Sequence, residues 1–261
     1  MKVLETYFNN RKSAVNRILE TAPGFYTVET FHELRVELKK IKALYEMVAF
    51  CSKTFKLKKN FALFKIIFKK AGIVREIQVD QAILEQQPNF HLIQSYSCRL
   101  KKREAKERKD FFSITNKRFI KKLQQKYPII IRFLKKTRAK KANRYLNKIT
   151  KEKKKIISKN AFKKQQIHAF RKRIKVHQYN TKIFDLNQQS KQVPEKITLS
   201  DMLGEWHDCI VVIALLKKAI KSKKTISRET KQLVAIKKLI LLKSDLLFNK
   251  INGTLPYHTL L

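Results

Sequence analysis

The chain has 261 residues, with 61 Lys and Arg against 20 Asp and Glu, a formal net charge of +41 and 43% hydrophobic residues. That apolar content excludes a disordered polycation and is enough for one large domain or two small ones. Like charge packed this densely repels itself unless anions offset it, so composition alone points to a polyanionic partner: polyphosphate, nucleic acid or an anionic membrane surface.

Glycine and proline are scarce and punctuate long runs of Lys, Leu, Ile, Glu, Gln and Ala, most of which favour helix. No alternating strand pattern persists, so the reading is roughly nine helices and no sheet. The first covers residues 3–20. The second is capped by Thr27 or Thr30 and runs to about residue 51. Residues 55–71 follow, with Phe61, Leu63, Phe64, Ile67 and Phe68 inward. Gly72 breaks the chain before the next helix, 73–86, which ends ahead of Pro88. In the helix over 90–110, Leu92, Ile93, Tyr96 and Leu100 fix the inward face. Arg99, Arg103 and Lys106 fall within about 40° of Leu92. Two readings stay open for these three: aliphatic stems covering apolar surface with charges in water, or a basic wall of a cavity. Residues 112–127 form a helix before Pro128. Residues 130–157 are lysine-rich, but Ala142, Tyr145, Leu146, Ile149, Ile156 and Ile157 recur at helical spacing, which predicts an amphipathic helix. Helices over 161–188, 198–220 and 226–250 complete the chain, with a loop at Asn187 to Pro194 and a poorly ordered tail from Gly253.

The stretch from Phe31 to Tyr45 organises the rest. On a helix with His32 at 0°, Arg35 falls at about 300°, Lys39 at about 340° and Lys42 at about 280°. Leu34, Leu38, Ile41, Leu44 and Tyr45 lie between about 120° and 240°, on the opposite face. Such a cationic stripe is ordinarily a solvated face. Here the spacing returns: His32, Arg35, Leu38 and Lys39 match His168, Arg171, Ile174 and Lys175 at a constant offset of 136 residues. Downstream, the block from Gly72 to Val79 matches the block from Gly204 to Val211 at an offset of 132. The chain reads as a degenerate twofold repeat, with halves of about 1–128 and 129–261, and two copies of one cationic face suggest a single pseudo-symmetric site.

These blocks resemble a known family. His32-x-x-Arg35-x-x-x-Lys39-Lys40-x-Lys42, Gly72-x-x-Arg75-Glu76, His168-x-x-Arg171-x-x-x-Lys175 with Tyr179, and Leu203-Gly204-x-x-x-Asp208 look like the CHAD domain, in order and over essentially the whole chain. The resemblance implies one all-α domain of two pseudo-symmetric antiparallel helical bundles around a basic central cavity. It implies binding of inorganic polyphosphate and association with polyphosphate granules. The residues expected to bind are His32, Arg35, Lys39, Lys40, Lys42, Arg99, Arg103, Lys106, His168, Arg171, Lys172 and Lys175. The copies differ: Val176 and Gln178 replace Lys40 and Lys42, and His207 stands where the first copy has Arg75.

The chemistry of the motif face suits such a ligand. Arg offers phosphate a planar fork of donors and Lys a mobile point charge. A His among cations resists protonation until an anion arrives, then donates as imidazolium. Enzymatic signatures are missing. Four glycines make no GxxxxGK loop, His32-Glu33-Leu34-Arg35-Val36 fails HExxH at its last position, and no ExExK triphosphatase strand occurs. The expectation is a non-enzyme without cofactor or metal, since two histidines flanked by lysines make a poor cation site. His207-Asp208, like Arg75-Glu76, reads as a structural charge pair near a helix start. His91, His177 and His258 read as structural or surface residues. Cys51, Cys98 and Cys209 form no CxxC pair, which fits a reducing compartment. The N-terminus lacks a signal-peptide apolar run, and the longest apolar run, Cys209 to Leu216, is far short of the ~20 residues of a membrane span. A soluble, cytoplasmic protein is expected. The alternative reading is a basic helical protein that binds nucleic acid through bulk charge.

Overall fold

The computed structural model describes residues 2–157, 162–184, 198–222 and 227–254. Among them the regular structure is helical, with no strand. The helices are α1 (Lys2–Glu20), α2 (Val28–Cys51), α3 (Leu57–Asn60), α4 (Ala62–Glu85), α5 (Gln94–Ile114), α6 (Lys117–Gln124), α7 (Tyr127–Lys136), α8 (Ala139–Ile157), α9 (Lys164–Phe184), α10 (Leu199–Ile220) and α11 (Ser227–Thr254). Short 3-10 turns lie at Pro23–Phe25 and Phe90–Ile93. The loop expected at Asn187 to Pro194, the tail past Thr254 and His258 lie outside the described residues.

Side-chain caps open α2 and α10. Thr27 caps α2: its Oγ1 accepts from Thr30 N at 3.2 Å, and Thr27 N donates back to Thr30 Oγ1 at 3.1 Å. Thr198 and Asp201 make the same reciprocal box at α10. Each such cap satisfies N–H groups that the helix itself leaves unpaired, for about 1 kcal/mol.

The boundaries depart from the sequence expectation in several places. The helix expected over 55–71 is divided between α3 and α4, the one over 112–127 among α5, α6 and α7, and α11 runs through Gly253. Gly72 does not break the chain; α4 runs through it without interruption. Pro128 does not end a segment but sits in the first turn of α7, where its missing N–H has no helical partner to lose. The lysine-rich stretch is not one helix from 130. The turn at Thr137, whose N–H donates to Leu134 O at 3.1 Å, separates α7 from α8.

The chain forms two compact units, each drawing on both sequence halves. The first comprises Met1–Ile73, Arg108–Lys155 and Lys172–Val193; the second comprises Val74–Glu107, Ile156–Arg171 and Pro194–Leu261. In the first, α1 packs on α2 and α7. Tyr45 is fully buried at the centre of an aromatic cluster, with edge-on contacts to Phe55, Phe61 and Phe64 at 5.5, 6.1 and 5.9 Å. A second cluster joins Tyr26, Phe31, Phe111 and Phe112. Fully burying such rings contributes on the order of 2 kcal/mol each, so apolar packing rather than polar contact holds this highly charged chain compact. In the second unit, α10 packs along α11, with Leu203, Trp206, Val212, Leu233, Ile236 and Ile240 buried. Phe162 and Phe170 extend that core, their rings 4.6 Å apart.

Candidate functional site

Within the first unit, α2 presents the first motif. Its apolar arc is buried as the helical geometry requires, with Leu34, Leu38, Ile41, Leu44 and Tyr45 all inaccessible. On the other side His32 and Lys42 are exposed, while Arg35, Lys39 and Lys40 are half-buried. The residues do not all do the same thing. Arg35 is docked on α4: its Nη1 donates to Phe68 O at 2.8 Å, and its Cζ lies 4.3 Å from the Phe68 ring centroid. A Cβ added at Gly72 would collide with Arg35 Nη1. Gly72 is therefore the seat of a motif arginine, a role that a glycine read as a helix break conceals.

Lys40 turns away from the stripe to Glu37, with Nζ 2.7 Å from Oε1. Glu37 is buried and also receives Arg11, whose Nη1 donates to Oε1 at 3.1 Å. One carboxylate thus anchors two cations from α1 and α2, which lowers the local repulsion. A signal for it existed: Glu37 falls at about 140° on the helical wheel, inside the apolar arc. Lys42 pairs with Glu46 at 3.3 Å, four residues along the same exposed face.

The second motif divides between the units. His168 and Arg171 belong to the second, while Lys172 and Lys175, further along α9, belong to the first. Lys172 is exposed and Lys175 half-buried. The His168 ring lies against His207 of α10, centroids 4.9 Å apart and planes tilted by 35°. Neither His207-Asp208 nor Arg75-Glu76 lies near a helix start as expected. His207 sits more than two turns into α10 and faces a motif histidine, and Arg75 lies in the middle of α4. The seat of Arg35 is not reproduced for Gly204, where an added Cβ would meet nothing within 4 Å.

On the part of α5 that belongs to the second unit, Arg103 and Lys106 are exposed. Arg99 is half-buried, its Nη2 3.9 Å from Glu229 Oε2 on α11. Glu229 is itself buried and accepts from Ser95 N at 2.7 Å and Tyr96 N at 3.3 Å, closing the first turn of α5 from another helix. Arg99 therefore completes an ion-paired cap rather than merely covering apolar surface with its stem. Beside it, Tyr96 Oη donates to Asp80 Oδ2 at 3.2 Å. Burial pushes the Asp80 carboxyl up to about 7, against the opposing pull of that hydrogen bond and of Arg103.

The chain is thus a helical protein whose His-x-x-Arg-x-x-x-Lys blocks lie on α2 and α9, with a motif glycine shaped around a motif arginine. The CHAD domain family model matches residues 12–217. The chain belongs to the CHAD domain family. No curated protein and no solved structure matched it. CHAD domains are associated with polyphosphate-related functions. No helix among the described residues is long and apolar enough to cross a membrane.

Proposed function

We propose that this CHAD protein binds inorganic polyphosphate and catalyses no reaction on it. The observation that carries the reading is the recurrence of one cationic spacing, His32/Arg35/Lys39 and His168/Arg171/Lys175, in a CHAD chain of net charge +41. Polyphosphate presents about one charge per phosphate along a flexible chain, and binding it needs only positioned cations and donors. Lys39, Lys42, Lys172 and Lys175 supply point charges. Arg35 and Arg171 supply fixed forks, and His32 and His168 supply donors that strengthen on protonation. Lys40 and Arg99, held by the buried carboxylates Glu37 and Glu229, support the surrounding geometry, and Arg103 and Lys106 add exposed charge. Association with polyphosphate granules follows from the same affinity.

The test is competition at one fixed, moderate salt concentration, because unspecific binding of a polycation varies steeply with salt. Long-chain polyphosphate is expected to displace duplex DNA from the protein at equal phosphate concentration, and DNA to displace polyphosphate poorly. Equal exchange in both directions would favour unspecific nucleic-acid binding.

A further inference from the structure

We infer that α8 carries a second track for the extended phosphate chain of polyphosphate, on residues outside the motifs. The inference rests on the polyphosphate reading and extends it to a new surface. Arg144, Lys148, Lys151 and Lys155 follow one another at steps of four, three and four residues. On a helix they share an arc of about 60° and span roughly 16 Å. All four are exposed. A shallow, open groove of about 480 Å³ lies between these side chains, lined by α8 alone and including Asn147 and Glu152.

Neighbouring contacts fix this face and preserve its charge. Ala142 is buried on the opposite side of α8 and Tyr145 on its flank. Thr150 Oγ1 lies 3.0 Å from His177 Nε2 on α9, within the same unit. The one carboxylate in the lining, Glu152, accepts from Arg173 Nη1 at 2.7 Å, which brings a further guanidinium to the groove's border. Lys148 Nζ stands over the Phe50 ring, 5.4 Å from its centroid, and Phe50 also packs on Tyr145.

The geometry selects the ligand class. Consecutive cations rise about 4.5–6 Å along the helix, so one orthophosphate reaches a single step while a phosphate chain meets the whole row. Single-stranded nucleic acids are held by a similar charge groove together with open aromatic faces for their bases. Here the ring beside the row, Phe50, is 39% exposed but is held by Lys148 on its face and by Tyr145, so the row offers one engaged ring and not a succession of stacking faces, which favours a ligand made of phosphate alone.

Acetylation footprinting of the folded full chain, read lysine by lysine by mass spectrometry, tests this directly. Long-chain polyphosphate is expected to slow acetylation of Lys148, Lys151 and Lys155 on the order of tenfold, the effect of one charge-assisted contact each. Orthophosphate and single-stranded DNA at equal phosphate concentration are expected to protect them far less. In parallel, Arg144→Gln/Lys148→Gln/Lys151→Gln should lower the log–log salt slope of polyphosphate binding by about 2. Unchanged labelling of the α8 lysines while Lys39 and Lys42 become protected would overturn the α8 track and leave the motif site standing. Protection of α8 with Lys39 and Lys42 unprotected would support the track and count against the motif site. Equal protection by DNA or by orthophosphate would overturn the assignment to a phosphate chain.

Discussion

The Arg35 guanidinium lies against Gly72, with Nη1 donating to Phe68 O at 2.8 Å in the space that a Cβ at residue 72 would fill. Two effects of Gly72→Ala then oppose each other. Alanine in a helix interior is better than glycine by about 1 kcal/mol. Displacing Arg35 forfeits a charge-assisted bond and a cation–π contact, together on the order of 2 kcal/mol. The variant should therefore be neutral to mildly destabilised in the wild-type background, but stabilised by about 1 kcal/mol in an Arg35→Ala background. Denaturant titrations of the four proteins give the cycle. The same Gly72→Ala effect in both backgrounds would show that Arg35 and Gly72 are not coupled.

Glu229 should be worth far more than an exposed carboxylate. Glu229→Ala leaves Ser95 N and Tyr96 N without this acceptor and removes the carboxylate that Arg99 faces. The loss is expected to be about 2–3 kcal/mol, and hydrogen exchange should quicken first at the start of α5. A melting temperature equal to that of the wild type, with unchanged exchange at Ser95 and Tyr96, would contradict this account of the cap.

Asp80 gives stability a pH dependence with an unusual sign. Burial raises its folded-state pKa to about 7 from the ordinary 3.8. Between those values the folded state keeps a proton that the unfolded state releases. The contribution is thus fully present below about pH 4 and is lost as pH rises through about 7. Its size is at most roughly 4 kcal/mol. The stability difference between Asp80→Asn and wild type should grow in the variant's favour from pH 4 to pH 7 and then level off. A difference independent of pH, measured by urea unfolding, would show that Asp80 is ionised in the folded protein.

Much of this was readable from the residues, and the failures have physical causes. The helical class followed from unbroken runs of helix formers. The buried arc of α2 followed from the 100° spacing of Leu34, Leu38, Ile41, Leu44 and Tyr45. Gly72 was misread because a glycine that ends a helix and one that admits a neighbouring guanidinium look alike in one dimension. Pro128 was misread because proline suits a first turn as well as it breaks a later one. On the helical wheel Lys40 lies at about 80°, on the flank, and only the inward position of Glu37 decides which way its ammonium turns. The contact between His168 and His207 joins residues 39 positions apart, beyond the reach of any local pattern.

The motif assignment is tested most directly by removing equal charge from two places. Lys39→Ala/Lys42→Ala/Lys175→Ala removes three charges from the motif helices, and Lys121→Ala/Lys122→Ala/Lys126→Ala removes three exposed ones from α6 and the turn that follows it. Arg35 is left in place because it holds α2 to α4. Alanine suits helices, so both variants should keep wild-type circular dichroism. Polyphosphate affinity at fixed moderate salt is the measurement. The motif variant should lose about two orders of magnitude or more and the α6 variant less than about tenfold, since each lost charge-assisted contact costs about 1–3 kcal/mol. Equal losses from two folded variants would contradict the motif site and leave only a cloud of charge.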